Sequence, residues 1–165
     1  MKKIHLFILL FQGFYLQSQD ISTTFNGITC KFSKITSINT IKVIELKIQN
    51  NSGKAIYIDT NRLTKVSNDS FITIGVGCFS NGFPYALQSH TKVFMTRIEP
   101  GNNIIYKIEL DENIQKIHFL FDCITFKERQ KDLFYGKHQS IVDGAFLFKN
   151  MSKYTLLNID QQFSW

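Results

Sequence analysis

Apolar and polar residues alternate one for one along much of the chain. In KVIELKIQ, residues 42–49, Ile44, Leu46 and Ile48 alternate with Glu45, Lys47 and Gln49. Successive side chains of an extended backbone point to opposite faces, so this period predicts a strand with one face on a core and the other toward water. The same period runs through Ile28, Cys30 and Phe32, through Ile72, Ile74, Val76 and Cys78, and through Ile104, Tyr106, Ile108 and Leu110. Shorter strands are predicted over residues 55–58, 92–98, 144–150 (GAFLFKN) and 154–159 (YTLLNI). In KIHFLFDCITF, residues 116–126, Ile117, Phe119, Phe121 and Cys123 share one face, and His118, Leu120, Asp122 and Ile124 share the other. Apolar residues on both faces predict a central strand covered on both sides. No segment of helical length carries an i, i+3, i+4, i+7 apolar stripe, and residues 127–140 are the best place for a single helical turn. Short strands separated by turn residues predict an all-β fold, an antiparallel β-sandwich of about seven to nine strands.

Two turns stand out. Asn50-Asn51-Ser52-Gly53-Lys54 separates two strands and predicts a hairpin or a sheet-to-sheet corner, with Gly53 at positive φ. Glu99-Pro100-Gly101-Asn102-Asn103 is the second, with Pro placed to start it and Gly to finish it. The strings LKIQNNSGK, residues 46–54, and IEPGNNIIYKIEL, residues 98–110, resemble the immunoglobulin-like sandwiches of exported bacterial proteins. They also resemble, in the same Asn-turn and Pro-Gly-turn layout, the BsuPI-type proteinase inhibitors. The resemblance spans residues 40–126 and implies an immunoglobulin-like fold and export; it carries over no catalytic residue. The Cys…Trp…Cys spacing of antibody domains is missing, since the single Trp is Trp165.

The first residues change the picture of where the protein works. Lys2 and Lys3 precede the apolar run Ile4–Phe11, which Phe14–Leu16 extends before the polar Gln17-Ser18-Gln19-Asp20. That succession predicts a signal peptide over residues 1–18 and a single domain over 19–165. Gln12 and Gly13 break the run below the roughly 20 apolar residues a spanning helix needs. The expected location is the periplasm or the exterior, with no membrane span after signal removal. The formal charge of +6 falls to about +4 without Lys2 and Lys3. This surplus is scattered, which gives no footprint for nucleic acid.

Candidate chemistry is sparse. Cys30, Cys78 and Cys123 all fall on apolar strand faces, where a Cys serves either as a small hydrophobe or in a disulfide. An odd count leaves one thiol over, and Cys78–Cys123 is the favoured pair if one bridge forms. His90, His118 and His138 show no metal-ligand spacing, and His118 shares its strand face with Asp122. No nucleophile elbow or phosphate loop is present, so neither catalysis nor a cofactor is expected. The segment CFSNGFPYALQSHTK, residues 78–92, is long for a sandwich connection and holds Phe83, Pro84 and Tyr85. Those aromatics either fold back onto the core or form a recognition loop. The segment 127–140 mixes Lys127, Arg129, Lys131 and Lys137 with Glu128 and Asp132, as a solvated tip or an acidic partner's docking surface. The function expected is an exported, non-enzymatic binding or assembly module, its partner another extracytoplasmic protein or surface component. An inhibitor presenting a loop to an extracytoplasmic hydrolase is the alternative.

Overall fold

The computed structural model describes residues 20–59, 63–68, 70–76, 92–127, 139–143, 147 and 151–164. Residues 1–19, where the signal peptide is expected, Cys78 and the 78–91 stretch with Phe83, Pro84 and Tyr85 lie outside the described residues, as does all of 128–138. Among the described residues the chain is almost wholly strand.

The strands are β1 (Ile21–Phe25), β2 (Ile28–Ile38), β3 (Ile41–Asn50), β4 (Ile56–Asp59), β5 (Leu63–Asn68) and β6 (Phe71–Val76). They continue as β7 (Lys92–Ile98), β8 (Asn103–Asp111), β9 (Lys116–Phe126), β10 (Gln139–Asp143) and β11 (Tyr154–Ser164). A first, antiparallel sheet has the order β1-β2-β3-β8. A second sheet has the order β10-β7-β4-β9-β6-β5, with β11 also paired to β9. The second sheet is mixed, because β6 and β9 run parallel. This corrects the wholly antiparallel arrangement of seven to nine strands expected: eleven strands are described, and alternation within a strand carries no information on the direction of its neighbour.

β9 organises the second sheet. β11 pairs with it along its whole length, from Tyr154↔Phe126 to Ser164↔Lys116. A strand has only two edges, so the other edge is shared: β6 takes its first half and β4 meets it at Tyr57↔Ile124. The two sheets close on one core. Phe32 of the first sheet meets Phe119 of the second edge-on, with ring centroids 4.9 Å apart. Ile44, Leu46, Ile48, Ile117, Phe119 and Phe121 are all within 1% of full burial, as the alternation predicts. Each such side chain stabilises the fold by about 1.5–3 kcal/mol. The opposite face of β3 is drier than expected. Glu45, Lys47 and Gln49 are half-buried rather than solvent-facing, because β2 and β8 flank β3 on either side.

The outer face of the second sheet is covered too. Tyr57, Met95, Asp122, Ile124, Phe126 and Tyr154 project from it and all are buried. This bears out the reading of residues 116–126 as a strand covered on both sides. Leu147 is buried here and accepts a hydrogen bond from Tyr154 Oη at its carbonyl, 3.2 Å. Leu147 is helical, so the strand expected over 144–150 is not formed at its centre. The single helical turn expected within 127–140 falls on residues outside those described, apart from Lys127 and from Gln139 and Ser140, which belong to β10.

Candidate binding cleft

Three turns meet at one end of the molecule. The β1–β2 hairpin turns on Asn26 (φ 48°) and Gly27 (φ 77°), with Phe25 paired to Ile28. Positive φ at both central residues is the two-residue turn whose twist matches paired strands, and Asn-Gly is its preferred sequence. The Asn50–Lys54 segment takes the chain from β3 in the first sheet to β4 in the second, so it is a corner and not a hairpin. Residues 99–102 carry the chain back from β7 in the second sheet to β8 in the first.

Asn50 ties these turns together. It is fully buried. Its Nδ2 donates to the carbonyls of Lys54 (2.8 Å) and Ile98 (2.9 Å). Its Oδ1 accepts from Ser52 N (2.9 Å) and from Ser52 Oγ (2.6 Å). Its backbone N–H donates to Asn102 O and its carbonyl accepts from Gly101 N. Asn51 N then donates to Gly27 O at 2.7 Å, which brings in the third turn. A buried amide with every polar atom matched holds the corner without help from solvent.

The glycine expectation needs correcting. Gly53 does not adopt positive φ; Gly27 and Gly101 do. A Cβ placed on Gly53 would meet nothing within 4 Å, whereas one on Gly27 would press on the Ser52 backbone at 3.0 Å. The knot is set by Asn50 and by the approach of Gly27.

Beside this knot opens a cleft of about 490 Å³, lined by Gly53, Lys54, Ala55, Tyr57, Arg97, Glu99, Pro100, Phe126 and Lys127. Ligand sites commonly span roughly 300–1,000 Å³. Tyr57 and Arg97 are cross-strand partners on β4 and β7. Tyr57 and Phe126 pack edge to face at 5.2 Å, and Phe126 packs on Tyr154 at 5.9 Å. The floor is therefore an aromatic cluster locked by packing. The rim is cationic. Lys54 and Lys127 are exposed, and Arg97 is held by Glu99, whose Oε1 accepts from Nη2 at 2.6 Å. Among the described residues Arg97 Nε is buried and has no acceptor.

The residues singled out from the sequence fall elsewhere. Cys30 and Cys123 are free thiols on the inward faces of the two sheets, both fully buried. Burial pushes the Cys30 thiol up to about 12, and pushes Cys123 up further, with the neighbouring Asp122 and Cys30 adding to the effect. Such thiols stay protonated and behave as small hydrophobes. The proposed bridging partner Cys78, like Phe83, Pro84 and Tyr85, lies outside the described residues. His118 is paired, though not with Asp122. Its Nε2 lies 2.7 Å from Asp160 Oδ1 on β11, and Phe71 stacks on its ring. Sequence reasoning did not find Arg97, Tyr57 or Phe126, because nothing in a sequence says that residues 57, 97 and 126 share one end of a sheet. The signal that was legible is the pair of turns that brings them there. Compared with models of known protein families, with curated proteins and with solved structures, the chain matches none.

Proposed function

We propose that the protein is an exported, non-enzymatic binding or assembly module built as an immunoglobulin-like sandwich. In this reading, the cleft at the turn end engages an extracytoplasmic protein or surface component. The observation that carries it is the Asn50 knot: both sheet-crossing turns that wall the cleft are fixed by one buried side chain. A site that needs no ordering on binding loses less entropy to the encounter. The aromatic floor offers apolar contact and the Lys54, Arg97 and Lys127 rim offers charge. The test uses the mature protein immobilised and incubated with extracytoplasmic and envelope fractions of producing cells. It should retain a saturable partner, and a K54E/K127E double variant, altered only at exposed positions, should lose it. Equal retention by the double variant would overturn the role of the cleft.

A further inference from the structure

Resting on the reading of the cleft as a binding site, we infer that its ligand is a carboxylate carried on an apolar or aromatic body. Three cations line the cleft and one anion, Glu99, offsets them. Glu99 already shows the chemistry: a carboxylate oxygen sits 2.6 Å from Arg97 Nη2. A guanidinium presents five donors and binds carboxylates through two at a time. Glu99 engages one terminal nitrogen, and Nε–H, buried against the wall, has no acceptor among the described residues. The guanidinium is thus oriented by one carboxylate, and the 23% of the side chain that stays exposed, not the enclosed Nε, is what a ligand can reach. Lys54 and Lys127 add charge at the mouth, where flexible ammonium groups can meet the outer oxygen of an incoming anion.

The floor determines what the carboxylate is attached to. Tyr57 and Phe126 are edge-to-face and almost wholly buried, so they are not free to turn outward around a hydrated ion. A ligand that places only a hydrated anion in the cleft leaves the aromatic floor unused. One with an apolar group beside its carboxylate covers the floor and strengthens the charge contacts by excluding water. A small arylalkyl acid and the free C-terminus of a polypeptide ending in an aromatic residue share this chemistry.

Glu99 also makes a prediction of opposite sign to the cations. As an intrachain carboxylate on Arg97 it competes with the ligand's, so removing its charge tightens binding, whereas removing Arg97 weakens it. A purely structural Arg97–Glu99 pair would not give opposite signs.

The experiment titrates isotope-labelled mature protein with 3-phenylpropionate and with 3-phenylpropionamide, followed by backbone amide resonances. A second arm uses an acetylated Gly-Gly-Phe peptide with a free or an amidated terminus. The acids should shift resonances of Lys54, Tyr57, Arg97 and Lys127, and the amides should not. Arg97→Gln should weaken the acid by about tenfold or more, the scale of one charge-assisted hydrogen bond. Glu99→Gln should tighten it, and Lys54→Gln or Lys127→Gln should each weaken it, which keeps the test valid if the Arg97 variant does not fold. Tighter binding of the free-terminus peptide than of 3-phenylpropionate assigns the polypeptide source, and equal binding assigns the small acid. Acids and amides shifting the cleft alike would overturn the carboxylate and leave a binding cleft standing. Shifts scattered over surface lysines, or none at the cleft, would overturn the inference, with the partner-retention experiment deciding the site itself.

Discussion

Asn50 makes four side-chain hydrogen bonds beside the cleft. Its amide answers two carbonyls and accepts from both the N–H and the hydroxyl of Ser52. An Asn50→Ala variant leaves the buried Ile98 O without this donor and frees the Ser52 groups that met Oδ1, while the part-buried Lys54 O keeps the Ser52 hydroxyl within reach. Stranding one buried group costs about 1–3 kcal/mol, so the loss should be about 2 kcal/mol, read as a lower denaturant midpoint at unchanged slope. Gly53→Ala, three residues on, should change the midpoint by less than about 0.5 kcal/mol, because its Cβ enters open space at an ordinary φ. The contrast separates a turn held by hydrogen bonds from one held by glycine. The buried thiols give a prediction in pH. An unfolded Cys titrates near 9.0, while folded Cys30 holds its proton to about 12. Below the first value both states are protonated and the contribution is fully present. As pH rises from 9.0 toward about 12 the unfolded chain binds fewer protons than the folded one, so stability falls. Equilibrium unfolding at stepped alkaline pH should show that decline, and it should be shallower in Cys30→Ala. At neutral pH neither Cys30 nor Cys123 should react with a thiol reagent until the protein unfolds.

At the scale of elements, the two positive-φ glycines form a matched pair. Gly27 and Gly101 sit at φ 77° and 82°, but only Gly27 has a backbone against the place its Cβ would occupy. Gly101→Ala should cost about 1 kcal/mol for backbone strain alone, and Gly27→Ala clearly more, the excess measuring the contact of the first hairpin with the corner. Thermal or denaturant midpoints of the two variants decide it. The strands β2, β3, β6, β8 and β9 were legible because each packs one apolar face on a shared core, and periodicity reports just that. β1 and β5 were not. Their partly exposed faces leave no clean alternation, although Asn26-Gly27 is a strong hairpin sequence and marks β1 on its own. The cleft was illegible for a different reason: register between β4, β7 and β9 is a tertiary fact, fixed by which strands pair and not by any one strand's pattern. Phe119→Ala should cost about 3–5 kcal/mol and Lys47→Ala about 0.5, since Phe119 is interlocked with Phe32 while Lys47 is only half-covered by its flanking strands. Equal effects in denaturant unfolding would mean that the alternation does not report the sheet faces, and reversed effects that the faces are assigned the wrong way round.

At the scale of the molecule, two sheets close on one core through corners at both ends. The turn end is stitched by Asn50, and at the other end buried Lys42 donates from Nζ to Ile114 O at 3.0 Å. Both ends thus use a polar side chain to meet backbone groups exposed where the chain changes sheets. The β1–β2–β3 hairpins of the first sheet and the β5–β6 hairpin of the second join neighbours in sequence, but the rest of the second sheet is assembled from remote parts. The parallel pairing of Phe71–Val76 with Lys116–Phe121 has a consequence in time. No tight turn can zip these two strands together. The chain between them must pass out to the first sheet through β8 and return before the first parallel contact forms. Loop-closure entropy is therefore spent before the contacts that offset it exist, which raises the barrier to folding. Stopped-flow refolding should give a dominant phase of milliseconds to seconds, with β1, β2 and β3 acquiring amide protection before β6 and β9. Microsecond refolding, or protection of β6 ahead of the first sheet, would contradict this order. During synthesis, half of the central sheet waits for β9 to emerge.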